Sequence, residues 1–289
     1  MTGDLTRRRF LETAATAGLG IAAAVSTGAG EKREGQPGAP ARNTIVVDSH
    51  AHLKHGDAAR TEYTPEAIVR TMDAAGIQKS VVFAMSTTTK RSIEMAEAAV
   101  KQYPDRLIPY VYALPNYERP VLREIEEAVA ARGFRGIKIH VGECTLADYV
   151  IDPVLKLAGK RGAACLIDLG GRYADAQRML EAFPETTIII AHMGRYLSTD
   201  GRLIDQFIDL AEKHHNCFLD VSGVVLLAKV EEAARQIGAH RLLWGTDGPH
   251  PKPDTGTFAR EELDKIRQLN LSEAEKADIL GNNILKLLG

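Results

Sequence analysis

The sequence predicts an α/β protein of the (β/α)8 TIM-barrel class, a single domain preceded by a cleavable export signal. Three observations predict it. After residue 43, short apolar runs alternate eight times with helical patterns. The alternating part, residues 44–289, is close to the roughly 250 residues typical of such a barrel. The runs are nearly continuous apolar stretches ending in ionisable residues. Parallel strands covered on both faces, with their C-terminal ends converging on one mouth, produce that pattern. A doubly wound open sheet is the rival, but no Gly-rich phosphate loop follows the first run.

The strands are expected at 44–49, 80–85, 107–113, 136–140, 164–168, 187–192, 217–221 and 242–246. Between and after them, helical patterns occupy 65–75, 91–102, 120–132, 153–160, 174–182, 203–214, 228–237 and 258–269, and a last helix at 272–288 closes the chain. Thr64-Pro65, Asp152-Pro153 and Ser272 supply caps or a first-turn proline. Gly76, Gly133 and Gly238 stand where helices should stop.

Residues 1–43 read as targeting rather than fold. Thr6-Arg7-Arg8-Arg9-Phe10-Leu11 resembles a twin-arginine export signal, and the Ala- and Gly-rich stretch 14–25 is too short to span a bilayer. Thr27-Gly28-Ala29 offers small residues for cleavage, and 30–42 is a polar linker. The expected partners are the twin-arginine export machinery and a small-molecule substrate. The expected location is periplasmic or otherwise extracytoplasmic, with no stable membrane anchor. A homo-oligomer is compatible with the sequence, which does not specify it. The composition, 45% hydrophobic with a formal net charge of −2 over 289 residues, is that of an ordinary globular chain and gives no case for nucleic-acid binding. Cys144, Cys165 and Cys217 form no Cys-X-X-Cys, which argues against a disulfide framework or zinc ribbon.

The residues with chemistry stand at the strand ends. The first run leads into His50-Ala51-His52, and period two places Val46, Asp48, His50 and His52 on one face. Two imidazoles one pleat repeat apart can bind one cation. Taken alone, His-X-His is weak, since strand-end histidines often bond neighbouring backbone. Here His140, Asp168, His192 and Asp247 end four further runs, and coincidence at five strands is improbable.

The chain resembles the amidohydrolase superfamily, in particular its amidohydrolase-related branch near the aminocarboxymuconate semialdehyde decarboxylases and pyrone dicarboxylate lactonases. The resemblance rests on Asp48-Ser49-His50-Ala51-His52, Gly136-Ile137-Lys138-Ile139-His140, Ala191-His192-Met193-Gly194, Trp244-Gly245-Thr246-Asp247-Gly248-Pro249 and the closing run from Ile279. It implies His50 and His52 as first-strand metal ligands, Asp247 as eighth-strand ligand and proton shuttle, and His192 as the group that bonds the reacting oxygen. The family usually ends its fifth strand with a histidine ligand. This chain has Asp168 there, which can ligate through oxygen or signal a different site. The implied cofactor is a divalent ion, zinc first, with manganese and iron as the other candidates.

Lys138 and His140 share an inward face, where Lys138 pairs with a carboxylate or holds an acidic substrate. His140 either replaces the missing histidine or touches substrate. Arg172 and Arg195 follow strand ends and hint at an acidic substrate, although each is individually as compatible with a solvated loop. Asp220 and Ser222 end the seventh strand, in a supporting or packing role. The implied activity is metal-dependent hydrolysis of an amide, ester or lactone. Behind it stand a metal-dependent non-oxidative decarboxylase, a metal-free lactonase and a non-catalytic binding protein.

Overall fold

The computed structural model of the protein describes residues 44–56, 59–119 and 121–289. The export signal read in residues 1–43 lies outside the described residues. So does Pro120, where the third helix was expected to begin.

The elements are β1 (Val47–Lys54), α1 (Pro65–Ala75), β2 (Lys79–Ala84), α2 (Thr89–Gln102), β3 (Leu107–Tyr112), α3 (Leu122–Ala131), β4 (Gly136–His140), α4 (Asp148–Arg161), β5 (Ala164–Asp168) and α5 (Tyr173–Ala182). They continue with β6 (Ile188–Ile190), α6 (Gly201–Lys213), β7 (Cys217–Asp220), α7 (Leu227–Ala233), β8 (Leu242–Leu243), α8 (Thr255–Arg267), α9 (Glu273–Ala277) and α10 (Asn283–Leu288). The eight strands form one sheet in chain order, every neighbouring pair parallel. Beyond the two residues of β8, backbone bonds join the last strand segment to the first. Ser49 N–H donates to the Trp244 carbonyl at 3.0 Å, and His52 N–H to the Gly248 carbonyl at 2.7 Å. A parallel bridge pairs Ala51 with Gly248. This is the expected barrel.

Two apolar layers hold it. Val47, Val81, Phe83, Tyr110, Tyr112, Leu166, Ile189 and Leu243 fill the barrel interior. Val46, Ala51, Leu53 and Val82 pack outward with helix residues such as Ile68, Met72, Leu155 and Phe207. Helix boundaries follow local chemistry. Thr64 Oγ1 caps α1 by accepting from Ala67 N–H at 3.2 Å. Gly76, Gly133 and Gly238 stop their helices with φ of 75°, 75° and 83°. Among the described residues no helix is long and apolar enough to cross a membrane.

Three expectations change. First, α4 begins at Asp148 rather than at Pro153, which sits inside it. Proline marks a first turn only by preference, and five residues into a helix it removes one intrahelical bond. Second, the closing helix is α9 and α10 joined by a wider π-type turn at Asp278–Asn282. Third, the first strand does not keep period two. Asp48 pairs with Ser80 and Ala51 with Val82, so three steps on β1 oppose two on β2. This one-residue bulge leaves Val46 and Asp48 on the helix side of the wall and turns His50 and His52 into the barrel. Asp48 therefore does not share a face with the histidines.

Candidate active site

His50 and His52 owe their position to the bulge and to a close approach of the last strand segment. A Cβ on Gly245 would lie 2.6 Å from His50 Cβ and 2.9 Å from its backbone nitrogen, so only glycine lets the two segments meet there. Asp48 stitches the same seam. Its carboxylate accepts from His50 N–H at 3.0 Å, Thr246 N–H at 2.9 Å and Thr246 Oγ1 at 2.6 Å. Burial pushes Asp48 up to about 7, against those three hydrogen bonds. Thr246 in turn leads into Asp247, whose φ of 53° is uncommon for a non-glycine residue.

The result is a cluster of donors at the mouth. His50 Nε2 lies 3.1 Å from Asp247 Oδ1, and His52 Nε2 lies 3.0 Å from the same oxygen. His50 is fixed from behind, where its Nδ1 meets Asp220 Oδ2 at 3.0 Å. Asp220 is an ionised carboxylate that only accepts, because the facing His50 and His192 rings and the hydrogen bonds from His50 and Ser222 outweigh burial and hold it low. His50 Nδ1 therefore carries the proton, and Nε2 presents its lone pair to the mouth. Burial keeps His50 and His52 neutral, each below the usual imidazole range.

His192 follows β6 in a turn, Ala191–Gly194, with φ of 58° at His192 and 48° at Met193. Left-handed backbone at two successive non-glycine residues costs on the order of 1–3 kcal/mol each and is characteristic of functional turns. Its Nδ1 donates to the Ser222 carbonyl at 2.9 Å. Its Nε2 faces Asp168 Oδ2 at 3.5 Å and Asp247 Oδ1 at 4.0 Å. Burial opposes a charge on this ring, but Asp247, Asp168 and Asp220 together push it up to about 9, so it is cationic at neutral pH. Asp247 is held well below the carboxylate range, since the charge of His192, the facing His50 ring and the hydrogen bond from His52 outweigh its burial.

The family model for the amidohydrolases matches residues 47–289. The chain belongs to the amidohydrolase family. Among solved structures, 5-carboxyvanillate decarboxylase from Sphingomonas paucimobilis is similar at 15% identity and a TM-score of 0.67, covering 85% of this chain and 99% of that one. A probable 2-pyrone-4,6-dicarboxylic acid hydrolase from Acinetobacter baumannii shares 19% identity with a TM-score of 0.65, covering 84% and 99%. An amidohydrolase from Burkholderia multivorans with bound zinc shares 14% identity with a TM-score of 0.68, covering 84% and 99%. At these identities the likeness is one of fold. A search of curated proteins returns no match.

Among its described residues this amidohydrolase has two groups of side chains close enough to share an ion: His50, His52 and Asp247, and His50, His192 and Asp220. The second is already filled. Ser222 Oγ lies 2.6 Å from Asp220 Oδ2, 3.0 Å from His192 Nδ1 and 3.3 Å from His50 Nδ1, so hydrogen bonds occupy the space. The first group fits a metal. Nitrogen and oxygen ligands about 2.1 Å from a tetrahedral ion stand about 3.4 Å apart, so the observed separations need open by only a few tenths of an ångström. His52 Nδ1 is buried without a hydrogen-bond partner, so nothing on that side dictates where its proton sits.

The other residues read from the sequence are distributed around this group. Asp168 stands across the mouth, bonded to His140 Nε2 at 3.2 Å and facing His192, outside the cluster of His50, His52 and Asp247. The hydrogen bonds of His140 and His192 overcome its burial and keep it ionised. Lys138 is fully buried, with Nζ 3.0 Å from His50 Nε2. Arg172 and Arg195 are both exposed, Arg172 at 3.8 Å from Asp175. His55 bonds the Pro249 carbonyl at 2.8 Å. Asp220, given a supporting or packing role from its place at a strand end, is the acceptor that orients His50. One feature went unread in the sequence. Glu143, in the β4–α4 loop, binds Ser86 Oγ at 2.6 Å and also Tyr112 Oη, tying three mouth segments together, and no strand-end pattern marks it.

Proposed function

We propose that the protein is a metal-dependent hydrolase that cleaves an amide, ester or lactone in a small acidic substrate. The observation that carries this reading is the convergence of His50 Nε2 and His52 Nε2 on Asp247 Oδ1 at 3.1 and 3.0 Å. A divalent ion, zinc first and manganese or iron next, would be held by His50, His52 and Asp247, with Asp168 as a further candidate. When bound it supplies Lewis acidity and a water activated near neutral pH. Asp247, ionised at neutral pH, accepts a proton from the attacking water and passes it to the leaving group. His192, anchored at Nδ1 by the Ser222 carbonyl and pushed up by Asp247, Asp168 and Asp220 in the metal-free site, is placed to donate from Nε2 to the oxygen on which charge develops. Lys138 and His140 line the floor and wall, and Arg172 and Arg195 supply positive charge on the loops.

The test is a panel of lactones, esters and amides offered to zinc-loaded protein beside Asp247→Asn. Hydrolysis by the wild type and a loss on the order of a hundredfold or more in the variant supports the reading. Release of carbon dioxide from carboxylated aromatic or enol substrates, without hydrolysis, replaces it with a second reading, a non-oxidative decarboxylase. That reading is supported by the two buried cations, Lys138 and His192, at the mouth of a fold shared with known decarboxylases.

The same proposal includes export. The Arg7-Arg8 pair directs the chain to the twin-arginine machinery. Replacing both arginines with lysine is expected to leave the full-length precursor in the cytoplasm on fractionation; unchanged export would reject this part.

A further inference from the structure

We infer that Lys138 is a built-in competitor for the divalent ion: its ammonium group and the ion need the same lone pair, on His50 Nε2, and only one holds it at a time. The inference takes the identity of the ion from the metal-dependent reading above. The competition itself follows from the geometry.

Lys138 lies on β4, in register with Tyr112 on β3 and Leu166 on β5, and its side chain crosses the barrel interior. It is 1% exposed. Its Nζ reaches His50 Nε2 at 3.0 Å and passes 5.3 Å from the centre of the Phe83 ring. An imidazole nitrogen has one lone pair, in the ring plane. His50 Nδ1 is committed to Asp220, so Nε2 must accept. Asp247 Oδ1, 3.1 Å from Nε2, is a carboxylate oxygen and cannot donate. Lys138 is the donor that satisfies His50; burial pulls its ammonium group down from the usual lysine range, and Asp168, Asp247 and Asp220 around it oppose that pull.

A divalent ion ligated by His50, His52 and Asp247 would take that lone pair. It would also stand within a few ångströms of an ammonium in a site sheltered from solvent, where like charges repel far more than in water. Ion and ammonium therefore exclude each other at His50. The four-carbon stem of lysine lets Nζ swing off without moving the strand. Lys138 keeps the cluster electrically and sterically intact while the ion is away, and it lowers the affinity for the ion by the strength of the contact that must be broken.

The test is zinc binding, measured on metal-free full chain by competition with a chromogenic chelator, for wild type, Lys138→Met and Lys138→Arg, each checked by circular dichroism and thermal melting. Lys138→Met is expected to bind zinc about tenfold to hundredfold more tightly, the worth of one hydrogen bond to a charged group. Lys138→Arg is expected to bind no more tightly than wild type. Equal or weaker binding by Lys138→Met overturns the inference and leaves the metal-dependent function standing. Zinc held by Lys138→Met but not by wild type supports the inference and removes the metal from the native chain's function. Zinc held by neither overturns both. Should Lys138→Met not fold, wild-type crystals soaked in zinc decide. Nζ displaced from His50 Nε2 supports the competition, whereas zinc on His50 with Nζ still bonded there, or no zinc at all, overturns it.

Discussion

Asp220 shows how much one carboxylate outside the metal-binding group can decide. It accepts His50 Nδ1–H, His192 N–H and Ser222 Oγ–H, at 3.0, 3.2 and 2.6 Å, and so sets the tautomer of one histidine and the turn that carries another. Asn at this position keeps the size but offers an amide that can point a donor at His50. Asp220→Asn is expected to lower zinc affinity and kcat/KM by about 10–100-fold. The chelator assay and steady-state kinetics check this, and unchanged values in a folded variant would mean that His50 is oriented by something else. The cysteines allow a second prediction at this scale. Burial pushes Cys165 and Cys217 up to about 12 and Cys144 to about 11, so at pH 8 the thiolate fraction of the first two is on the order of one in ten thousand. An Ellman titration of the native protein at pH 8 is expected to find no rapidly reacting thiol, and after unfolding all three react. Because thiolate is the reactive form, the native rate should rise with pH. A fast native thiol at pH 8 would contradict the burial.

The bulge in β1 is the element on which the site depends. A regular strand would put Asp48, His50 and His52 on one side. The extra residue between Asp48 and Ala51 gives Asp48 to the β1–β8 seam and both histidines to the mouth. The eighth segment must come close for this seam to form, and Gly245 permits it. Gly245→Ala places a methyl group 2.6 Å from His50 Cβ. The expected cost is about 1–3 kcal/mol by overpacking, with a disproportionate loss of zinc affinity because His50 is the atom group pushed. Urea unfolding and the chelator assay measure the two effects separately, and a loss of stability without a loss of affinity would detach the seam from the site. What could be read in the sequence follows the same division. His50, His52, His192 and Asp247 announce themselves as polar residues ending apolar runs, a one-dimensional pattern. The bulge has no such mark, since period two is the default for a strand and Ser49 is an unremarkable extra residue. Asp220 was visible at its strand end, but its value comes from His50 and His192 at 3.0 and 3.8 Å, distances that exist only once β1, β6 and β7 are assembled.

At the scale of the whole molecule, the barrel order was legible because eight apolar runs spaced by helical patterns leave little choice of topology. How the last strand is held was not, because its anchors are far away in the chain. β8 is only Leu242–Leu243, too short to close a barrel by its own ladder. The C-terminal segment supplies the missing bonds. Trp244 N–H donates to the Ile279 carbonyl at 3.0 Å, and Asn283 Nδ2 donates to the Ala239 and Leu242 carbonyls, both at 2.8 Å. Asn283 is buried, so Asn283→Ala leaves two carbonyl acceptors without their donor, at about 1–3 kcal/mol. For a domain of this size that corresponds to a fall of roughly 2–12 °C in Tm. The consequence reaches the site, because Leu242 to Asp247 is the segment that delivers Asp247 to His50 and His52. The variant is therefore expected to melt earlier and also to bind zinc more weakly at temperatures where it is still folded. Differential scanning fluorimetry with and without zinc reads both: the zinc-induced rise in Tm should shrink in Asn283→Ala. A full-sized rise on a lowered baseline would mean that the C-terminal helix stabilises the barrel without positioning Asp247.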